Sequence, residues 1–290
     1  MSDTARAALW MTGAIVSFTA MAVAGRAVSL DLDTFEIMLY RSLVGVVIVV
    51  TILTITGRLH RVRTRRLGAL ALRNLAHFTA QNLWFYAIAT ITFAQVFALE
   101  FTAPIWAMLL AVPILGEGLS RRGLIAAAIG LIGVLILARP GAATLSPGLL
   151  AAALAAIGFG LTAVLTRRLT RTETLACILF YLTVMQAVFG LICAGYDGDI
   201  ARPEGAAVAW LVLIGCAGLL AHFCLTNALT LAPASIVMPI DFARLPLIAL
   251  VGALAYGEAL RAHVLVGAAL IIAANLVNMG LLRAPRVTGK

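Results

Sequence analysis

Residues 94–137 read AQVFALEFTAPIWAMLLAVPILGEGLSRRGLIAAAIGLIGVLIL, and this stretch decides the fold class. Two long apolar runs flank a short polar segment, GEGLSRR, at residues 116–122. Each run approaches the roughly 20 residues that a helix needs to cross a hydrocarbon core of about 30 Å. Backbone groups cannot stay unpaired in lipid, and these runs do not alternate as strands of a membrane barrel would. The stretch therefore predicts two transmembrane helices joined by a short turn.

The rest of the chain follows the same pattern. The protein has 290 residues, of which 63% are hydrophobic and only 11% are charged, whereas about 25% charged residues is usual for a soluble domain. We therefore predict an all-α membrane protein with ten transmembrane helices. The apolar runs are residues 8–28, 35–56, 69–90, 93–115, 123–138, 149–165, 174–195, 206–231, 234–256 and 264–282.

The basic residues predict the orientation. The net charge is +9, and nearly all of the positive charge is arginine, concentrated in segments that share one side of the membrane, such as 58–66 and 167–171. The loops on the other side carry acidic residues. The positive-inside rule then places both termini in the cytoplasm, for a multi-pass protein of a bacterial inner membrane. Because the arginines are spread over separate loops, they do not indicate a nucleic-acid site.

An internal repeat divides the chain into two halves. A shift of 141 residues (159 minus 18) aligns many positions along most of the sequence. Residues 1–140 form the first repeat, with helices 1–5, and residues 145–284 form the second. Since five is an odd number, the second copy enters the membrane from the opposite side, an architecture of transporters whose cargo binds between the halves. The aligned pairs include Phe18 with Phe159, Arg26 with Arg167, Glu100 with Asp241, Gly116 with Gly257, and Glu117 with Glu258.

The run 94–137 places Leu-Gly-Glu between a proline-bearing apolar helix and a helix rich in small residues. It resembles the second part of an EamA domain of the drug/metabolite transporter superfamily. Residues 234–279 repeat the pattern, with Tyr256 in place of the leucine, and the resemblance covers nearly the whole chain. It implies a ten-helix basket that exports small metabolites, and the chain is similar to the aromatic amino acid exporters. Other metabolites or drugs, such as nucleotides or cationic drugs, are the alternative cargo.

Polar residues on the third helix predict a cavity wall. Asn74, His77, Gln81 and Trp84 recur at spacings of 3, 4 and 3, which places them on one face. On the eighth helix His222 takes the position of Gln81. We predict that Gln81 and His222 hydrogen-bond the cargo near mid-membrane, although each could instead bond a neighbouring helix. His77, nearer the inner face, is the weaker candidate of the stripe.

Aromatic residues at matched positions of the first and sixth helices predict an apolar part of the same cavity. Phe18 and Phe159 are repeat partners and would stack on an aromatic cargo, or they pack the core. Gly215 and Gly218, at the positions of Asn74 and His77, would leave space beside the stripe.

Four charged residues fall within the predicted helices. Arg41 and Glu100 lie at matching depth, and Asp241 and Arg244 are separated by one helical turn. An isolated charge at helix centre costs roughly 2.5 to 3.5 kcal/mol, which favours pairing. We predict the structural ion pairs Arg41–Glu100 and Asp241–Arg244. The alternative is that Glu100 or Asp241 exchanges protons during transport.

Several residues shape the helices. Gly130 and Gly133 predict a close-packing face on the fifth helix, used within its own half or at a dimer contact. Glu258 precedes the tenth helix and predicts a cap of its positive end, as Glu117 does for the fifth. Prolines predict kinks, mobile or static, in the fourth and ninth helices at Pro104, Pro113, Pro239 and Pro246.

The sequence lacks the motifs of membrane proteases. A membrane metalloprotease would need His-Glu-x-x-His, and a serine protease would need a nucleophile turn within a helix, and neither is present. We therefore predict no enzyme, no metal and no cofactor. The predicted partners are a small-molecule cargo and the lipid bilayer, with proton coupling and oligomeric state left open. A membrane scaffold without transport remains the alternative from another class.

Overall fold

A computed structural model of the protein describes residues 3–116, 118, 121–138, 146–231, 240–241 and 243–278. Over these ranges the chain forms α-helices, with a short 3-10 turn at Leu59–Val62. The first half contains α1 Asp3–Val28, α2 Thr34–Ile55, α3 Leu67–Thr90, α4 Phe93–Glu100, α5 Ala103–Leu115 and α6 Arg121–Ala138. The second contains α7 Pro147–Leu169, α8 Leu175–Ala194, α9 Ala206–Leu231, α10 Arg244–Tyr256 and α11 Ala262–Asn278.

The helices have the length and hydropathy of membrane spans. Six described segments are long and apolar enough to cross a membrane, and α4 and α5 together make one of them, Phe93–Leu115. Two further apolar helices, Leu247–Tyr256 and Ala262–Val277, are shorter. The predicted all-α membrane fold of ten transmembrane helices in two inverted repeats is confirmed.

The two halves interlock instead of packing side by side. Helix α1 packs on α9, α2 on α8, α3 on α7 and α6 on α11, so each of these contacts joins one half to the other. The contacts α1–α9 and α3–α7 are equivalent under the repeat. The apolar faces of one half are therefore buried by the other, and the centre of the protein lies at the contact between the halves.

The fourth apolar run is two helices and not one. Helix α4 ends at Glu100 and α5 begins at Ala103, with Pro104 in its first turn. Pro104 has no backbone N–H for the carbonyl of Glu100, and the N–H of Ile105 donates to the carbonyl of Thr102 instead of that of Phe101. The buried Asn275 of α11 donates from Nδ2 to the carbonyl of Phe101 at 2.6 Å. The predicted kink is thus a break, and a side chain of the other half binds one of its carbonyls. Pro113 lies inside α5, whereas Pro239 and the side chain of Pro246 lie outside the described part.

The glycines of α6 serve a contact within the protein. A Cβ on Gly133 would lie 2.8 Å from the carbonyl oxygen of Gly267 in α11, and a Cβ on Gly267 would lie 2.7 Å from that of Gly133. Helices α6 and α11 therefore approach backbone to backbone at this point. The close-packing face predicted from the sequence is present, but it joins the first half to the second instead of packing within its own half.

We expect Gly267→Ala to destabilise the protein by roughly 1 to 3 kcal/mol, because the new methyl group meets backbone atoms that cannot move aside. The control is Gly68→Ala in α3, where a Cβ would have nothing within 4 Å. That change should be neutral or stabilising, since alanine favours helix over glycine. Thermal unfolding of both variants in detergent measures the difference. Equal unfolding midpoints for the two variants would contradict the close contact.

Candidate functional site: a cavity between the two halves

A cavity of about 580 Å³ lies where the two halves meet. Its size falls within the range of roughly 300 to 1,000 Å³ that is typical of small-molecule sites. Helices of both halves supply its wall. The wall does not include Asn74, the first residue of the predicted stripe. The predicted residues that do line it are Phe18, Arg41, His77, Gln81, Trp84, Glu100, Phe159, His222, Asp241 and Arg244.

The polar stripe of α3 places unused hydrogen-bonding groups in this wall. Gln81 is only 4% exposed, and its amide makes no hydrogen bond to any residue that the structure describes. The buried Nδ1 of His77 also lacks a partner there. Asn74 differs, because its amide donates to the carbonyl of Tyr181 at 3.1 Å and so joins α3 to α8. Asn74 is thus structural, while Gln81 and His77 have polar atoms that form no hydrogen bond within the described residues.

Aromatic rings form two corners of the cavity. Phe18 of α1 meets His222 of α9 edge to face, with ring centroids 5.6 Å apart. Phe159 of α7 meets His77 of α3 at 6.0 Å. Because α1–α9 and α3–α7 are equivalent contacts, each half supplies one phenylalanine that packs against a histidine of the other half. The cavity wall therefore contains an aromatic ring pair at each of the two corners.

A charged cluster lies where the broken fourth helix faces the start of α10. Arg244 Nη2 is 2.8 Å from Asp241 Oδ2 and 3.1 Å from Glu100 Oε1. The other oxygen of Glu100 accepts a hydrogen bond from Trp84 Nε1 at 2.7 Å. The guanidinium also lies over the ring of Phe18, 4.9 Å from its centroid. One arginine thus neutralises a carboxylate from each half.

The predicted contact between Asp241 and Arg244 is present, but the predicted pair between Arg41 and Glu100 is wrong. Glu100 binds Arg244 of the other half instead. Equal depth in the membrane was the basis of the prediction, and depth does not determine which face of the bundle a side chain reaches. Over the described ranges, the polar contact of Arg41 is to Met38 Sδ at 3.5 Å, within its own helix.

A second charged contact, which we call the latch, closes the end of the protein where α1 ends. It consists of Arg26, Glu258, Phe93 and the carbonyls of Ile88 and Ile91. Arg26 forms an ion pair with Glu258, donates to both carbonyls, the first at 2.6 Å, and lies 3.6 Å from the centroid of the Phe93 ring. The latch therefore ties α1 and the α3–α4 turn to the second half.

The latch corrects one prediction and adds residues that sequence reasoning missed. Glu258 was expected to cap the helix that follows it, yet its Oε2 accepts from the backbone N–H of Phe93 at 2.9 Å. It therefore caps α4 of the other half. Its repeat partner, Glu117, lies outside the described residues. The recurrence of Arg26 as Arg167 under the repeat was the signal that could have drawn attention to the latch.

Comparison with known proteins assigns the family. The model of the EamA-like transporter family matches residues 5–139 and matches again at residues 146–280. The chain belongs to this family. Two matches of equal extent, one for each half, account for nearly the full length. As an EamA-like protein it is a multi-pass membrane transporter.

Curated relatives of this EamA-like chain include transporters for two kinds of cargo. An S-adenosylmethionine uptake transporter of Rickettsia felis is 26% identical and covers 92% of this chain and 90% of its own. A riboflavin transporter of Vibrio cholerae is 28% identical, with 91% and 90% covered. A riboflavin transporter of Rhizobium johnstonii is 31% identical, with 74% of each chain covered. These names lend no support to the expected export of amino acids.

A crystal structure of another protein has the same fold. It superposes with a TM-score of 0.68 at 19% identity and covers 96% of this chain and 99% of that one. At this identity the likeness concerns the fold alone. The similarity extends over both halves, so the EamA-like arrangement includes the region that encloses the cavity.

Proposed function

We propose that this EamA-like protein carries a small organic molecule with a planar ring through the central cavity, by exposing the cavity alternately to the two sides of the membrane. The aromatic corners at Phe18 and Phe159 support this cargo class, because ring stacking gains from flat, buried faces. The cargo compounds in the names of the relatives also support this class. S-adenosylmethionine and riboflavin both contain a planar nitrogen heterocycle, although they differ in the rest of the molecule.

The observation that carries the proposal is the unused polar surface between these rings. Gln81 lines the cavity and its amide makes no hydrogen bond within the described residues, and the buried Nδ1 of His77 lacks a partner there. In a membrane protein an unpaired buried polar group is costly. A heterocycle edge that presents both donors and acceptors would satisfy these groups, and the cost of leaving them unpaired would disfavour cargo without such an edge.

Two finer parts of the function remain proposals. Export of aromatic or hydrophobic amino acids is the second candidate, favoured by the resemblance to amino acid exporters and by a cavity that holds both aromatic and charged groups. Proton coupling through Glu100 or Asp241 is compatible with two carboxylates that share one guanidinium. We also infer a bacterial inner membrane location, with both termini cytoplasmic, from the arginine distribution.

Transport by purified protein in proteoliposomes tests the cargo class. The vesicles would be offered labelled S-adenosylmethionine, riboflavin and tryptophan in separate uptake and efflux experiments, with protein-free vesicles as the control. We expect saturable transport of S-adenosylmethionine or riboflavin that exceeds the transport of tryptophan. If tryptophan alone is transported, the cargo is an aromatic amino acid, and the proposed preference for a heterocycle edge with both donors and acceptors is rejected. If no compound moves, the planar-ring cargo class is rejected.

Gln81→Ala and His222→Ala should each slow transport by roughly threefold to tenfold, the loss of about one hydrogen bond, while folded yield stays near normal. The matched control is Asn82→Ala, one residue along the same helix. Asn82 also has a buried amide, but this amide donates to the carbonyl of Phe78 within α3. Parental transport rates in both Gln81→Ala and His222→Ala would show that the cargo binds elsewhere.

A further inference from the structure

Arg41 is a charged residue in the cavity wall that forms no ion pair with any carboxylate of the described ranges. It is half-buried, and within the described residues its polar contact is the sulfur of Met38 at 3.5 Å. The two carboxylates of the cavity wall, Glu100 and Asp241, both bind Arg244, and the free Oδ1 of Asp241 forms no hydrogen bond with Arg41. A guanidinium within a membrane protein normally pairs with another group or with backbone carbonyls. Arg41 therefore has donors for which the described residues provide no oxygen acceptor.

The fold does not require a charge at this position. The repeat partner of Arg41 is Leu182 (41 plus 141), which is buried in α8 at the equivalent place. Leucine thus satisfies the packing of this helix face in the second half. An unpaired charge in a membrane interior costs stability. A charged residue that lowers stability, and that is replaced by an apolar residue at the equivalent position of the other half, is typical of a functional site.

The residues around the Arg41 guanidinium also leave room for it. A Cβ on Gly218 of α9 would lie 3.2 Å from Arg41 Nη2 and 3.5 Å from Met21 Sδ, so glycine leaves room there for the guanidinium. His222 follows one helical turn later on the same face and packs against Phe18. Arg41 is therefore held at the edge of the aromatic corner that the proposed cargo ring would occupy.

We propose that Arg41 binds an oxyanion of the cargo, a carboxylate or a phosphate, while the ring of the same molecule stacks on Phe18. A guanidinium binds such groups through two parallel hydrogen bonds, which fixes orientation as well as charge. This inference rests on the proposed function and narrows it. Of the two cargo compounds in the names of the relatives, S-adenosylmethionine carries a carboxylate and riboflavin carries no anionic group. The cavity is therefore better suited to the former class.

The test compares probes that differ only in the anionic group. The pairs are S-adenosylmethionine with its decarboxylated form, riboflavin 5′-phosphate with riboflavin, and tryptophan with tryptamine. Affinities are measured on the purified full-length protein, the variant Arg41→Met and the matched control Leu182→Met. We expect the parent and Leu182→Met to bind the anionic member of at least one pair roughly tenfold or more tightly. Arg41→Met should bind both members of that pair equally.

The stability of the ligand-free variants provides an independent readout. Arg41→Met should unfold at the same temperature as the parent or higher, because no ion pair is lost. A clear drop, larger than that of Leu182→Met, would make Arg41 a structural residue and overturn the proposal. Parental binding of ring compounds without an anion preference, or a preference that survives in Arg41→Met, would also overturn it while leaving the proposed function intact.

Two other outcomes are decisive. If the parent binds none of the ring compounds, the proposed function fails, and the cargo site at Arg41 fails with it. If chloride or sulfate alone stabilises the parent but not Arg41→Met, and the organic anions add nothing, Arg41 holds an inorganic ion and not cargo. Gly218→Ala, which crowds the guanidinium without removing its charge, should weaken the anion preference in the same direction as Arg41→Met.

Discussion

Arg244→Met is expected to lower stability more than any other substitution considered for this protein. Arg244 is buried, with 6% of its side chain exposed, and it neutralises both Glu100 and Asp241. Its loss would leave two carboxylates near each other without a cation. Removal of one partner from a buried ion pair typically costs about 3 to 5 kcal/mol, a large part of the roughly 5 to 15 kcal/mol that stabilises most proteins. We expect a strong loss of folded protein in detergent extracts.

Glu100→Gln is the control for this effect. Arg244 would keep Asp241 as a partner, and the new amide oxygen could still accept from Trp84 Nε1, so the loss of stability should be clearly smaller. The triple variant with Arg244→Met, Glu100→Gln and Asp241→Asn should recover much of the yield, because no charge is left unpaired. Equal thermal midpoints for Arg244→Met and Glu100→Gln would contradict the shared ion pair.

The same variants test the rival role for Glu100. If Glu100→Gln folds normally but abolishes transport driven by a pH gradient, Glu100 is a coupling residue as well as a partner of Arg244. Arg41→Gln is expected to give no rescue of Glu100→Gln, because the structure pairs Glu100 with Arg244 and not with Arg41. If Arg41→Gln does rescue the folded yield of Glu100→Gln, the result would support the pair between Arg41 and Glu100 that was predicted from the sequence.

Glu258→Gln is expected to open the latch end of the protein. The change removes the ion pair with Arg26 and weakens the cap on the backbone N–H of Phe93. Both side chains are mostly buried, and hydrogen bonds to charged groups contribute about 1.5 to 3 kcal/mol in such places. Since 1.4 kcal/mol is a factor of ten in an equilibrium constant, the population open at this end should rise by roughly tenfold or more.

Cysteine labelling measures this opening. Ala163 lines the cavity, so Ala163→Cys in a background without the native cysteines reports access to it. A membrane-impermeant maleimide is added from the side of the latch. Consecutive membrane spans run in opposite directions, and α4 and α5 together form one span, so α1 and α7 run in opposite directions. The latch at the end of α1 therefore lies opposite Arg167, near the end of α7, where the cavity wall also reaches. Labelling should accelerate in Glu258→Gln.

The control for the latch is Glu204→Gln. Glu204 is an exposed residue of the loop before α9, on the same side of the membrane as the latch, and it undergoes the same chemical change. It should leave the labelling rate unchanged. If Glu258→Gln and Glu204→Gln label at equal rates, the contacts of Arg26 do not control access to the cavity.

Local and periodic properties of the sequence determined a large part of this protein. Hydropathy and run length predicted the membrane helices, since each helix must satisfy its own backbone in lipid. The shift of 141 residues predicted the inverted halves. Helical spacing on α3 placed His77, Gln81 and Trp84 on one face, and the structure finds this face in the cavity wall. These inferences needed no knowledge of which helices are neighbours.

The tertiary structure decided which groups meet across helices. It paired Glu100 with Arg244 and left Arg41 without a carboxylate, although the sequence had placed Arg41 and Glu100 at equal depth. It also assigned Glu258 to the start of α4, and not to the helix that follows it in the chain. Hydropathy and spacing give the depth and face of a residue within its own helix. The partner depends on how the two halves interlock, because the contacting residues lie about 140 to 230 positions apart.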